Sequence, residues 1–162
     1  MENKNILLAG AFAYQGKIIA KFLQNKEFIV YAVGRYLPKE LSVKRFFKVD
    51  MRHKGSMQLV MSIVKPSTII FYHEPVIDID YTYPSYSGLL SSMPRGVEKL
   101  ILCIDNIPKK PQNPNEVSQL ACYWLSQIYK EKFGIESLVV TKKKNLLKSI
   151  KHFILNDGGD KI

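Results

Sequence analysis

Short apolar runs rich in β-branched and aromatic residues alternate along this chain with segments whose apolar positions recur at helical spacing. The runs predict strands at Ile6–Ala9, Phe28–Val33, Arg45–Val49, Thr68–Tyr72, Lys99–Ile104 and Ser137–Thr141. The periodic segments predict helices at Gly16–Gln24, Gly55–Val64, Asn115–Phe133 and Leu146–Leu155. Strands separated by helices imply right-handed crossovers and a mainly parallel sheet, of about six strands here, covered on both faces in three layers. Leu100, Ile101, Leu102, Cys103 and Ile104 are continuously apolar, as a strand buried on both sides requires.

Two stretches read less simply. In Val76–Tyr86, Ile77, Ile79, Tyr81 and Tyr83 alternate with Asp78, Asp80 and Thr82, which predicts an extended, half-buried strand or lid. A helix is then expected only near Ser85–Ser92, hemmed in by Pro84 and Pro94. Tyr81, Tyr83 and Tyr86 could stack on a flat ligand or pack over the sheet. In the long helix at Asn115–Phe133, Val117, Leu120, Ala121, Trp124, Leu125 and Ile128 form a broad apolar stripe with one face expected on the sheet.

The first strand runs into spaced glycines and then a helix, in the stretch NILLAGAFAYQG from Asn5 to Gly16. A Rossmann phosphate loop has this order, with glycines for the turn, for the backbone's approach to a pyrophosphate and for helix packing. Gly10 and Gly16 hold the outer places, and Ala13 narrows the middle one. The following helix would aim free N–H groups and its positive dipole end at a phosphate. The candidate nucleotide contacts are Gly10, Phe12, Ala13, Tyr14, Gln15 and Gly16. A plain strand-turn-helix with two convenient glycines is the alternative.

Charge and rare residues narrow the function classes. Lys+Arg number 24 against 14 Asp+Glu, a formal charge of +10, so acidic partners are plausible. Part of the excess lies in TKKKNLLKSIK, Thr141–Lys151, where Lys144, Lys148 and Lys151 share one side of a helix and Leu147, Ile150 and Ile154 the other. No nucleic-acid motif accompanies this helix, and neither nucleic acid nor membrane is expected as a partner. Lys109 and Lys110 add charge in the loop where strand ends would meet a ligand. Cys103 and Cys122 are too few and too far apart for a metal motif, and no metal is expected. With no signal peptide and no long apolar span, a cytoplasmic protein with reduced thiols is expected. The length suits one nucleotide-binding domain over residues 1–156 with a flexible tail at 157–162.

Taken in order, GAFAYQG, VGR (Val33–Arg35), KVDMR (Lys48–Arg52), KPSTIIFYHE (Lys65–Glu74), GVEKLILCID (Gly96–Asp105) and YKEKFGIESLVV (Tyr129–Val140) resemble the N-terminal half of an extended or atypical short-chain dehydrogenase/reductase. That group contains nucleotide-sugar epimerases and NmrA-like regulatory proteins. The resemblance implies a Rossmann-like domain and a dinucleotide. It places Arg35 where a basic residue welcomes a 2′-phosphate, favouring NADP(H) over NAD(H), Asp50 where an aspartate contacts adenine, and Met51 and His73 beside the cofactor. It also implies that the long helix 115–133 could join a homodimer interface.

The same resemblance exposes departures. Asn115 stands where the family's catalytic tyrosine is expected, Gln119 where its lysine is expected, and Ile104, Asp105 and Asn106 at its serine-rich strand end. Neither an asparagine nor a glutamine side chain titrates near neutral pH, so a catalytically silent or regulatory nucleotide-binding protein is expected. At this length the family's substrate-binding C-terminal half is not expected. Two alternatives stand beside this reading. One is an epimerase or reductase for a nucleotide-sugar or small carbonyl substrate, using a relocated acid such as His73, with Glu74, or Tyr81. The other is an interaction module working through the basic C-terminal helix.

Overall fold

The computed structural model describes residues 4–10, 14–73, 79–141 and 145–155. Its elements are β1 (Asn5–Ala9), α1 (Tyr14–Gln24), β2 (Ile29–Gly34), β3 (Arg45–Lys48), α2 (Lys54–Val64), β4 (Thr68–Tyr72), α3 (Ile79–Ser91), β5 (Lys99–Ile104), α4 (Pro114–Phe133), β6 (Glu136–Thr141) and α5 (Leu146–Leu155). The strands form one sheet in the order β3-β2-β1-β4-β5-β6, with every pairing parallel. This is a Rossmann-like α/β fold, as the alternation of runs predicts, and ten of the eleven elements lie within two residues of their expected bounds.

Each face of the sheet has its own core. Leu7, Ala9, Ile69, Phe71, Leu100 and Leu102 point to one side, where Met57, Val60, Tyr86, Leu89 and Cys122 of α2, α3 and α4 cover them. Ile6, Leu8, Ile70, Tyr72, Ile101 and Cys103 point to the other, against Ile19 and Leu23 of α1 and Ile150 and Ile154 of α5. The period of two in each strand produces this division, and burial on both faces explains why β4 and β5 are fully buried along their length. The charge in β5 is also accounted for. Lys99 is buried, and its ammonium donates to the carbonyl of Ile154 at 3.1 Å, where the helix's C-terminal dipole welcomes a cation.

Local chemistry sets the helix ends. Asn113 caps α4 by accepting from the Glu116 N–H at 2.9 Å, Pro114 follows with its φ already fixed, and Gly134 ends the helix at φ 65°. His53 caps α2 by accepting from the Ser56 N–H at 3.2 Å.

The segment expected as a strand or lid is a helix from Ile79, which corrects the reading of Tyr81–Tyr83. Tyr81, Thr82, Ser85, Tyr86, Leu89 and Leu90 are buried at helical spacing. The alternation that suggested a strand is the same sequence seen over too short a window, with Thr82 and Ser85 masking the period. Pro84 lies inside the helix as its sixth residue, where its missing N–H removes one i→i−4 bond. Residues 76–78 of the alternating stretch lie outside the described residues. Tyr86 packs over the sheet, its ring 4.7 Å from Phe71 and its hydroxyl 2.5 Å from Ser126 Oγ on α4. The Tyr83 side chain is part exposed.

The stripe on α4 is also placed differently from expectation. Ser118, Gln119, Cys122 and Ser126 face the core, whereas Val117, Trp124 and Ile128 are exposed, Trp124 at 58%. Small residues on the inner face let α4 sit close to α3 and the sheet, so the larger apolar side chains were left for the outside. Leu125 alone of the stripe packs against the core cluster.

Gly88 fixes the approach of α3 to the loop after β3. A Cβ there would stand 2.3 Å from the Met51 carbonyl oxygen, and both partners are backbone. Gly88→Ala is therefore expected to destabilise the domain by about 2 kcal/mol or more, measured by urea unfolding against wild type.

Candidate nucleotide site at the switch point

β1 and β4 are neighbours in the sheet, but the chain leaves β1 towards β2 on one side and β4 towards β5 on the other. Open α/β sheets form their ligand crevice at such a reversal, outside the carboxyl ends of the strands. Gly10 follows β1 at this point with φ 75°, and a Cβ on it would meet the Tyr72 carbonyl oxygen at 2.4 Å. Position 10 thus needs glycine twice, for its torsion and for the closeness of β4. Gly16 is buried in the first turn of α1, and Gln15 beside it is hydrogen-bonded to the Tyr72 hydroxyl through its Oε1. Tyr72 therefore ties the start of α1 to the end of β4. Phe12, Ala13 and Glu74 lie outside the described residues, as does the side chain of Tyr14.

A second group gathers at the ends of β2 and β3. Arg35 follows β2, and its guanidinium carbon lies 3.4 Å from the centroid of the Tyr81 ring. Arg52 lies 5.2 Å from the same centroid. Asp50 binds Arg52 through both carboxylate oxygens, the shortest contact being 2.7 Å, and accepts the Arg52 N–H at 3.0 Å. These bonds hold the Asp50 carboxyl below its ordinary range, against a smaller opposing effect of burial. Burial raises the Tyr81 phenol, with Ser85 and Arg35 acting in the other direction. Among the described residues Arg35 makes no ion pair, and its buried Nε has no hydrogen-bond partner. The cluster carries two guanidinium groups against one carboxylate, so it has positive charge to spare. Met51 is buried under α3 and holds the loop in place.

His73, also expected in the site, is fully buried at the end of β4. Its N–H donates to the Cys103 carbonyl at 2.8 Å, and its ring Nε2 is 3.2 Å from Ser118 Oγ on α4. It is joined to the interior of the α4 layer, apart from the Arg35–Asp50–Tyr81 group.

Gln119 is 1% exposed, and its side-chain oxygen accepts the N–H groups of Asp105 at 3.1 Å and Asn106 at 3.0 Å. Its amide nitrogen donates to Asp105 Oδ2 at 3.4 Å. This carboxamide fastens the end of β5 to α4. It uses an acceptor and a donor together, which a lysine cannot supply. Asn115, one turn earlier, is part buried with its Oδ1 unpartnered among the described residues. Cys122 is buried, which lifts its thiol to about 12, and is not a nucleophile at neutral pH.

Sequence reasoning did not single out Arg52, Ser118 or Gly88. The local Asp50-x-Arg52 spacing and a glycine inside a helical stretch were the available signals for the first and last. Nothing in the sequence marks Ser118 as the neighbour of His73, which is 45 positions away.

No protein-family model and no curated protein sequence matches the chain. Solved structures do. A UDP-glucose 4-epimerase from Thermus thermophilus in complex with NAD superposes with a TM-score of 0.71 at 20% identity, over 84% of this chain and 54% of that one. An L-threonine dehydrogenase from Clostridium difficile gives 0.70 at 17% identity, over 87% and 53%. A UDP-glucose 4-epimerase from Brucella ovis in complex with NAD gives 0.71 at 15%, over 83% and 50%. The likeness is one of fold. The chain spans about half the length of these proteins. Among the described residues no group of His, Cys, Asp or Glu could hold a metal, and no helix is long and apolar enough to cross a membrane.

The Asp50–Arg52 pair couples stability to pH. Because the folded pKa of Asp50 is lowered, its contribution is present above the unfolded carboxylate value of about 3.9 and is lost as pH falls through the folded one. Both side chains are partly exposed, so the effect is small. The thermal midpoint of wild type should fall more steeply than that of Asp50→Asn below about pH 4, and parallel curves would refute the coupling.

Proposed function

We propose that this domain binds a nicotinamide dinucleotide, NADP(H) in preference to NAD(H), as a regulatory or otherwise non-catalytic protein of short-chain dehydrogenase/reductase type. Gln119 carries the second half of this reading. At the position where the resemblance expects a mobile, charged lysine stands a buried carboxamide already engaged with two backbone N–H groups. At the expected tyrosine position, Asn115 has no proton to exchange near neutral pH.

The residues present suit such a ligand. Gly10 leaves the backbone bare at the crevice, α1 begins there, and the first turn of α1 carries no acidic residue to repel a phosphate. Arg35 makes no ion pair among the described residues, although Asp50 lies near enough to feel its charge, and it would receive a 2′-phosphate, with Arg52 close by. Asp50 keeps carboxylate oxygen on the same rim as a hydrogen-bond acceptor for the adenine amino group. The bound group would supply a redox-active nicotinamide, while this chain's residues hold and orient it. NAD in the epimerase complexes of like fold supports the choice of ligand class.

Self-association through α4 belongs to the same proposal. Val117, Trp124 and Ile128 are apolar, exposed and on one side of the helix, and exposed aromatic residues are characteristic of interface centres.

Calorimetric titration tests the ligand. NADP(H) should bind at least about tenfold more tightly than NAD(H), and Arg35→Ala should remove that preference while leaving NAD(H) affinity within about threefold, since one charge-assisted phosphate contact is worth 1–3 kcal/mol. Robust turnover of a carbonyl or nucleotide-sugar substrate would overturn the non-catalytic half, and absence of binding by either cofactor would overturn the whole.

A further inference from the structure

One face of α3 lies along the loop after β3. Tyr81, Ser85 and Gly88 follow one another at helical spacing and so share that face. At Gly88 the helix meets the Met51 carbonyl with no room for a Cβ, and Ser92, just past the helix, donates through Oγ to the Lys54 carbonyl at 3.5 Å. Ser85 and Gly88 are small, which lets α3 lie close. The large side chain of this row is Tyr81, and the fixed helix carries its ring, only 6% exposed, to the ends of β2 and β3.

Two guanidinium groups meet that ring. The Arg35 carbon is 3.4 Å from the ring centroid, and the Arg52 carbon 5.2 Å. At the shorter distance an N–H pointed at the ring would enter it, so the Arg35 guanidinium lies flat on the ring face. Its buried Nε has no hydrogen-bond partner among the described residues, and the electron-rich face of the ring is what that group meets instead. The Tyr36 ring, exposed and 5.7 Å away at its centroid, gives no comparable contact. The Tyr81 hydroxyl is likewise without a hydrogen-bond partner among the described residues, so packing holds the ring in place.

The two arginines are committed differently. Asp50 takes Arg52 through both carboxylate oxygens. Arg35 makes no ion pair among the described residues. An arginine free to turn loses rotamer freedom when it takes hold of a phosphate, and that loss weakens capture. A guanidinium can give its face to an aromatic ring and its N–H edge to a phosphate at the same time. The Tyr81 ring therefore restrains Arg35 without occupying the groups that a ligand needs, and Asp50, by drawing Arg52 to itself, leaves those groups on Arg35 open.

We propose that Tyr81 is a positioning residue, whose ring holds the Arg35 guanidinium flat and ready at the rim of the crevice and so sets the preference for a phosphorylated ribose. The inference rests on the NADP(H) reading of the site. It gives Tyr81 a part that passes through Arg35, in place of that of a relocated acid.

Calorimetric titration of the full chain with NADP(H) and NAD(H) tests it. Tyr81→Leu fills much of the same space without a ring, and it should reduce the preference for NADP(H) about fivefold while leaving NAD(H) affinity unchanged. Tyr81→Phe keeps the ring and should keep the preference. In a chain already carrying Arg35→Ala, Tyr81→Leu should have no further effect on the preference. A second measurement serves if Tyr81→Leu does not fold, because it is made on the wild type. The Arg35 Nε–H resonance, identified in proton–nitrogen spectra by its loss in Arg35→Ala, should be shifted upfield by the ring beneath it. An ordinary shift there, or a Tyr81→Leu chain with the wild-type preference, would overturn the positioning role and leave the cofactor reading standing. Equal losses in Tyr81→Phe and Tyr81→Leu would overturn it too, since the hydroxyl would then be the working group. A wild type without preference for NADP(H) would overturn both.

Discussion

The contact on which the rest of the arrangement depends is the approach of Gly10 to the carbonyl of Tyr72. It brings the turn after β1 against the end of β4 with no side chain between them. Tyr72 then reaches back through its hydroxyl to Gln15 and holds the beginning of α1 over the same point. Strand order alone would create a crevice there. The missing Cβ determines how narrow its floor is, and the tyrosine determines how the helix N-terminus is presented.

On the far side of β4 the structure is organised by α4, whose inner face is made of Ser118, Gln119, Cys122 and Ser126. Hydrophobic transfer alone would have turned Val117, Trp124 and Ile128 inward. Close packing and hydrogen bonding decide the matter instead, because small residues admit Tyr86 and the sheet, and their polar atoms meet buried partners at His73, Tyr86 and the end of β5. A buried polar group without a partner costs about 1–3 kcal/mol, so this set of paired residues specifies one orientation of the helix. The exposed apolar side chains follow from that orientation, and so does their availability to a neighbour.

Most of the architecture was legible in the sequence because buried parallel strands need apolar residues on both faces, and few other structures do. The bounds of β4, β5 and α5 follow from the pattern of apolar positions alone. α3 was obscured because its helical period is carried partly by Thr82 and Ser85, which are buried though polar. The rotation of α4 was hidden for the same reason: a periodic stripe shows that a helix is amphipathic without saying which stripe wins when serine and glutamine have partners waiting. At the candidate site, Gly10 stood out by its place at the end of the first strand, whereas Arg35, Asp50 and Met51 were named only through the family resemblance. The joining of Arg35 to Tyr81, of Asp50 to Arg52 and of His73 to Ser118 depends on tertiary contacts that spacing does not encode.

The two cysteines occupy opposite layers of the sandwich. Cys103 lies in the core beneath α1 and α5, and Cys122, on the inner face of α4, lies in the core on the opposite side of the sheet. Both are reduced and shielded from solvent, so neither reacts until its own layer opens. The molecule thus carries one native reporter of breathing on each side of its sheet, and the order in which a thiol reagent reaches them distinguishes loosening of the α1–α5 layer from loosening of the α4 layer without any introduced label.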